Sequence, residues 1–264
     1  MRKWQALAIA CCAACLALAR PAAAQTPVDL QLVLAVDASG SVNQTRFELQ
    51  RQGYAAAFRD RRVIAAVTAG AHGAIAVAMV QWTGPTLHVV VVDWTLVHDA
   101  ASANVLADTI GRVQRQLFRG GTSLSGAIDF AMTMLAQSPY RGDRRVIDIS
   151  GDGSNNSGRP ATDARDEAVK AGVVINGLPI LAVEPGLDAW YRDNVVGGPG
   201  SFMVVAQNFD AFADAIVHKL INEIAMREPA SSNIMAGLVP AIDDVPGGQK
   251  PPVDARDKPA HDAN

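Results

Sequence analysis

Cysteine is confined to the first 24 residues, where Cys11, Cys12 and Cys15 are the only three in the chain. Beyond them there is no thiol, which excludes disulfides, Cys-ligated zinc and a cysteine nucleophile from the remainder. Histidine is equally uninformative: His72, His88, His98, His218 and His261 show no H-x-x-x-H or similar ligand spacing. The Gly-x-Ser-x-Gly elbow and the Gly-x-x-x-x-Gly-Lys-Ser/Thr phosphate loop are both missing, so the usual handles of esterases and nucleotide hydrolases are absent. Nor is there an excess of positive charge. The 23 Lys and Arg residues are outnumbered by 26 Asp and Glu, a formal charge of −3, which argues against nucleic acid or an anionic membrane surface as partner.

The two ends read differently from the middle. Arg2 and Lys3 precede an apolar, Ala-rich stretch from Ala6 to Ala19, and Pro21 to Ala24 offers an A-x-A cleavage site. Residues 1–24 are therefore expected to be a cleavable signal peptide, with Gln25 the first mature residue and a periplasmic or secreted product. An uncleaved anchor needs about twenty strongly apolar residues, which this stretch does not supply. Loss of Arg2, Lys3 and Arg20 with the leader would shift the formal charge to −6. No other long apolar run exists, so no transmembrane segment is expected after cleavage. From Glu228 onward, Pro229, Pro240, Pro246, Pro251, Pro252 and Pro259 alternate with glycines and no periodicity persists. Residues 228–264 are expected to be a disordered tail. Ile234 to Ile242 and Val253 to Pro259 resemble the translation of a repetitive element found at the ends of many bacterial reading frames. Residues 25–227 remain, a length that suits one domain.

Within that domain, apolar runs alternate with helical patterns. Leu30 to Val36 is a nearly continuous apolar run ending at Asp37, as expected of a strand buried on both faces. Ala74 to Trp82, Val89 to Trp94, Arg145 to Ser150, Val173 to Ile180 (broken at Asn176-Gly177) and Phe202 to Val205 read as further strands. The Gly84-Pro85 break makes the second and third a hairpin pair. Helices are expected over Phe47 to Phe58 with Asn43 as N-cap, Asn104 to Phe118, Leu124 to Leu135, Asp163 to Ala171 and Phe209 to Ile224. The alternation implies an α/β fold: a doubly wound, mostly parallel sheet with helices on both faces and one antiparallel edge strand. In such sheets ligands bind beyond the carboxyl ends of the strands, and Asp37 and Asp152 each fall just past such an end.

Asp37-Ala38-Ser39-Gly40-Ser41 sets three oxygen-bearing side chains at i, i+2 and i+4, so that an extended segment can aim all three at one point. Gly40 removes a side chain where the backbone is expected to bend. One carboxylate and two hydroxyls suit a hard cation such as Mg²⁺ or Mn²⁺ but do not fill its shell. Gly120-Gly121-Thr122 and Ser150-Gly151-Asp152-Gly153 are the segments able to complete it. Each element alone is weak, since Ser, Thr and Asp also serve as turn and cap residues, and Thr122 or Ser123 could be only the N-cap of the next helix.

Taken in order along the chain, Asp-x-Ser-x-Ser, a Thr after Gly-Gly and an Asp between glycines resemble the metal-ion-dependent adhesion site of von Willebrand factor A (vWA) domains. The resemblance spans about Val28 to Ile224. Ser-Gly-Asp-Gly followed by Asn155 and Asn156, together with Ile-Asn-Gly-Leu-Pro at 175–179, is similar to an often exported bacterial branch of that family, the DUF1194-like proteins. The resemblance implies direct metal coordination by the Ser39 and Ser41 hydroxyls. It implies coordination by Thr122 directly or through a water, and charge supplied from behind by Asp37 and Asp152. It implies a binding module of the cell envelope, whose metal accepts a carboxylate from a protein or other envelope partner, and no catalytic residues. Asn155, Asn156, Trp82 and the Gly84 loop are expected to shape the rim. The alternative is a Mg²⁺-dependent hydrolase using the same site; Asp37 sits where aspartate-nucleophile phosphatases carry Asp-x-Asp, but Ser39 replaces the second carboxylate. Asp93, Asp99 and Asp108 read as solvated or capping residues, and Arg141, Asp143, Arg144 and Arg145 as a wet loop.

Overall fold

The computed structural model describes residues 25–226; the leader expected at 1–24 and the tail expected at 228–264 lie outside the described residues. Five strands form one sheet: β1 (Thr26–Asp37), β2 (Ile75–Trp82), β3 (His88–Val97), β4 (Tyr140–Gly151) and β5 (Val174–Pro179). Their order is β3-β2-β1-β4-β5, parallel throughout except for the antiparallel β2–β3 pair at one edge. Seven helices are found among the described residues. They are α1 (Gln44–Arg59), α2 (Arg61–Thr68), α3 (Ala100–Arg112), α4 (Leu124–Ala136), α5 (Ala161–Lys170), α6 (Leu187–Asn194) and α7 (Phe212–Ala225).

The continuous apolar run of β1 is explained by its central place. Leu30, Leu32, Leu34 and Val36 enter one core with Tyr54 and Phe58 of α1, Leu106 and Ile110 of α3, and Leu220 of α7. The intervening Val33 and Ala35 enter a second core with Ile128 of α4, Ala164 of α5 and Tyr191 of α6. Period-two alternation thus feeds two layers of helices, and every residue from Leu30 to Asp37 is buried. The winding reverses between β1 and β4, so the carboxyl ends of these two strands open the crevice in which such sheets bind ligands.

Several boundaries differ from the pattern-based expectation. Helix α3 starts at Ala100 because Asp99 forms a capping box with Ser102, and it stops at Arg112. Val113 and Leu117 keep helical spacing, but Gln81 captures the next segment: its amide donates to Gln114 O (2.7 Å) and accepts from Gln116 N (2.8 Å). The Arg141–Arg145 run is no loop. It lies in β4, paired with β1 at Leu30↔Arg144 and Gln31↔Arg145. Arg144 there donates to the carbonyls of Glu223 and Ile224, at the end of α7 where cations are favoured. Strand β5 continues through Asn176-Gly177 because the Asn176 side chain bonds inward to Glu223 (2.7 Å). Phe202–Val205 forms no strand; it contributes only the isolated bridge Gly177↔Met203, with Ile180↔Ala206 following. Helices α2 and α6 were not anticipated.

Candidate metal centre

Strand β1 delivers Asp37, fully buried, to the sheet's carboxyl edge, where Ala38 N still bonds to Trp82 O of β2 (2.9 Å). The chain then turns back on its own carboxylate: Asp37 Oδ1 accepts from Ser39 N at 2.7 Å. Val42 buries its side chain and Asn43 caps α1 by accepting from Arg46 N, which anchors the far side of the loop. Between these fixed points, Ser39 and Ser41 bring their hydroxyls within 3.1 Å of each other. Strand β4 brings Asp152 to the same place. Ser41 Oγ donates to Asp152 Oδ1 (2.5 Å), and Asp152 N approaches Asp37 Oδ2 (3.4 Å). Four of the five expected residues therefore form one hydrogen-bonded cluster.

Thr122 belongs to the same rim without joining that cluster. Ser123 caps α4 by accepting from Gly126 N (3.2 Å), so Thr122 is not spent as the cap. Its backbone is clamped by Asn156, whose Oδ1 accepts from Thr122 N (2.8 Å) while Asn156 N donates to Thr122 O (2.9 Å). Among the described residues the Thr122 hydroxyl has no hydrogen-bond partner. It faces Gly153, where an added Cβ would lie 3.5 Å from it. Asn155 accepts from Ser125 N, so both asparagines shape the rim as expected. Trp82 does not: it is fully buried, packed into the core beneath. Gly40 is not needed for a close approach either, because its nearest neighbour would sit 3.6 Å from a Cβ.

The electrostatics favour a cation. Burial, and then the neighbouring Asp152, push the Asp37 carboxyl up to about 7. Asp152 is also raised by burial, opposed by Ser41 and Arg46. Two carboxylates close together at a low-dielectric site are costly to ionise unless a positive charge joins them. The donors are all hard oxygens: two carboxylates and three hydroxyls. That set fits Mg²⁺ or Mn²⁺ better than a soft metal. No group of three or more His, Cys, Asp or Glu suited to a metal occurs among the described residues, so the case for this site rests on its hydroxyls as much as on its two carboxylates.

The comparisons with known proteins bear on this arrangement. Residues 27–228 match the model of a family described as "Protein of unknown function (DUF1194)". The chain belongs to that family. Among solved structures, this DUF1194 chain is similar to proximal thread matrix protein 1 of the mussel byssus, described "with zinc occupied MIDAS motif" (16% identity, 75% of this chain and 46% of that one, TM-score 0.53). It is similar also to a von Willebrand factor type A protein from Catenulispora acidiphila (17% identity, 75% and 43%, TM-score 0.51). The pilus adhesin SpaC from Lactobacillus rhamnosus GG is a third (16% identity, 76% and 31%, TM-score 0.54). The chain spans less than half the length of each. At these identities the likeness establishes the vWA fold. No curated protein matches the chain by sequence.

Four residues that the motif did not single out complete the surroundings in this DUF1194 member. Arg46, on the first turn of α1, donates to Ser41 O (2.8 Å) and lies 3.4 Å from Asp152 Oδ2. Arg115 donates to Ala38 O and Ser39 O, tying the 113–121 segment to the Ser39 loop. Glu184, half-buried on the loop before α6, accepts from Ser154 N (2.7 Å) and adds negative charge near Asp152. Tyr191 of α6 is fully buried beside Asp37. Burial and the nearby Asp37 and Asp152 hold its phenol well above the usual range, so it stays a neutral O–H donor. A Glu in a Pro-Gly loop and a Tyr in a short helix carry no sequence signal of such proximity.

Proposed function

We propose that this chain is an exported binding module that recognises its partner through one divalent cation held by Ser39, Ser41 and Thr122, with Asp37 and Asp152 supplying charge behind them. The observation that carries the proposal is the Asp37–Ser39–Ser41–Asp152 cluster at the carboxyl ends of β1 and β4, with the Thr122 hydroxyl beside Gly153, the residue after Asp152. When bound, Mg²⁺ or Mn²⁺ supplies the electrophile that attracts a partner's carboxylate. The chain's own residues do the rest. Ser39 N and Asp152 N orient Asp37, Arg46 holds the Ser41 backbone, and Asn156 fixes Thr122. The signal-like pattern of residues 1–24 supports a periplasmic or secreted location for this activity, with residues 25–227 as the module. That one structural neighbour is described with a metal-occupied site and another as a pilus adhesin supports the reading.

The test is isothermal titration of purified residues 25–227 with Mg²⁺, alongside Asp37→Ala and Ser39→Ala. The wild type should bind one equivalent, and Mg²⁺ at about a hundred times Kd should add about 2.7 kcal/mol of stability. Both variants should lose the heat signal and the thermal shift. Undiminished Mg²⁺ binding by Asp37→Ala would refute the site. A pull-down from envelope extract with and without EDTA then asks whether capture depends on the metal.

A further inference from the structure

Burying a tyrosine hydroxyl without a partner is costly, yet the fold is shaped to do this at Tyr191. The residue is fully excluded from solvent, and among the described residues its hydroxyl has no hydrogen-bond partner. Two adjacent strands are hollowed to seat it. At Gly177 of β5 a Cβ would lie 2.9 Å from the ring carbon Cδ1; at Gly151 of β4 a Cβ would lie 2.9 Å from the hydroxyl oxygen. That same Cβ at Gly151 would also lie 2.9 Å from Asp37 Oδ2. Phenol and carboxylate therefore front one point in the wall of the candidate metal centre.

Packing explains the ring but not the oxygen, because phenylalanine would fill the same seat with no orphaned polar atom. The Asp37 carboxylate explains the oxygen. Its Oδ1 receives a short bond from Ser39 N (2.7 Å) and the Ser39 hydroxyl also serves the carboxyl, whereas Asp152 N reaches Oδ2 only at a long 3.4 Å. One carboxylate oxygen holds only a long bond, and an idle donor fronts the same point at Gly151. We infer that Tyr191 is a positioning residue of the cation site, whose O–H serves Oδ2 of Asp37, directly or through one water, when that carboxylate is ionised beside a bound cation. The inference rests on the metal-site reading above. A carboxylate held at both oxygens keeps its orientation, and outer partners of this kind contribute about 10–100-fold to metal affinity.

Tyr191→Phe removes one oxygen and keeps the seat. Titration with Mg²⁺ alone should show Kd raised about tenfold, while the melting temperature of the metal-free protein stays level or rises. A merely structural tyrosine would give the opposite split, with stability lowered and Kd unmoved. A Kd within about twofold of wild type, a difference under about 0.4 kcal/mol, overturns the inference and leaves the metal site standing. A wild type that takes up no Mg²⁺ overturns both.

Discussion

Cation binding should be strongly pH-dependent near neutrality, because Asp37 must give up a proton to serve the site. With its carboxyl pushed up to about 7 by burial and by Asp152, Asp37 is about nine-tenths protonated at pH 6 and about one-tenth at pH 8. Proton competition weakens apparent affinity by about 11-fold at pH 6 and about 1.1-fold at pH 8, so Mg²⁺ should bind about tenfold tighter at the higher pH, about 1.4 kcal/mol. Titration calorimetry in buffers of differing ionisation enthalpy should report close to one proton released per cation at pH 6, falling toward none at pH 8. Stability of the metal-free protein should move the opposite way. A carboxyl raised on folding binds more protons folded than unfolded between its two values. The contribution from Asp37 is thus fully present below about pH 4 and lost as pH climbs through about 7. Added Mg²⁺ should therefore restore more stability at pH 8 than at pH 6. Equal Mg²⁺ affinity at pH 6 and 8, with no proton released at either, would refute the reasoning.

Lys219→Met should leave Asp148 and Glu223 buried without their cation (Nζ at 2.8 and 3.1 Å) and cost about 3–5 kcal/mol in urea denaturation. Replacing all three with apolar residues of similar volume should recover most of that loss; a cost under about 1 kcal/mol for the single change would show the cluster is not holding α7 to the sheet. Gly151→Ala should abolish Mg²⁺ binding and lower stability by about 1–3 kcal/mol, since the new methyl would lie 2.9 Å from both Asp37 and Tyr191. Asn156→Ala should keep the fold by circular dichroism but weaken Mg²⁺ binding, with about 1–2 kcal/mol lost as Thr122 N is left without its acceptor.

What the sequence displays and what it hides divide along a physical line. The buried run from Leu30 to Val36 announces a central strand because both of its faces must be apolar, and a polar residue where such a run stops marks the strand's carboxyl end. Asp37 was legible for that reason. Asp152 was legible too, although the start of its strand was not: the charged residues of β4 sit low in the sheet, where Arg144 spends its charge on the end of α7. Everything that depends on one loop meeting another stayed hidden. Gln81 ends the helical run at 112 by capturing backbone two loops away, and the two buried positions of α6, Leu187 and Tyr191, are too few to announce a helix. The same line runs through the candidate metal centre. Residues that touch a cation must have particular chemistry at particular spacing, so a motif records them. Residues that set its affinity and pH response need only the right place in space. Arg46, Glu184 and Tyr191 come from three separate segments, two of them around a helix with little pattern. Relatives that share Asp37, Ser39, Ser41, Thr122 and Asp152 but differ at these three positions should therefore all hold a cation, at affinities and pH midpoints that diverge with the surroundings and not with the motif.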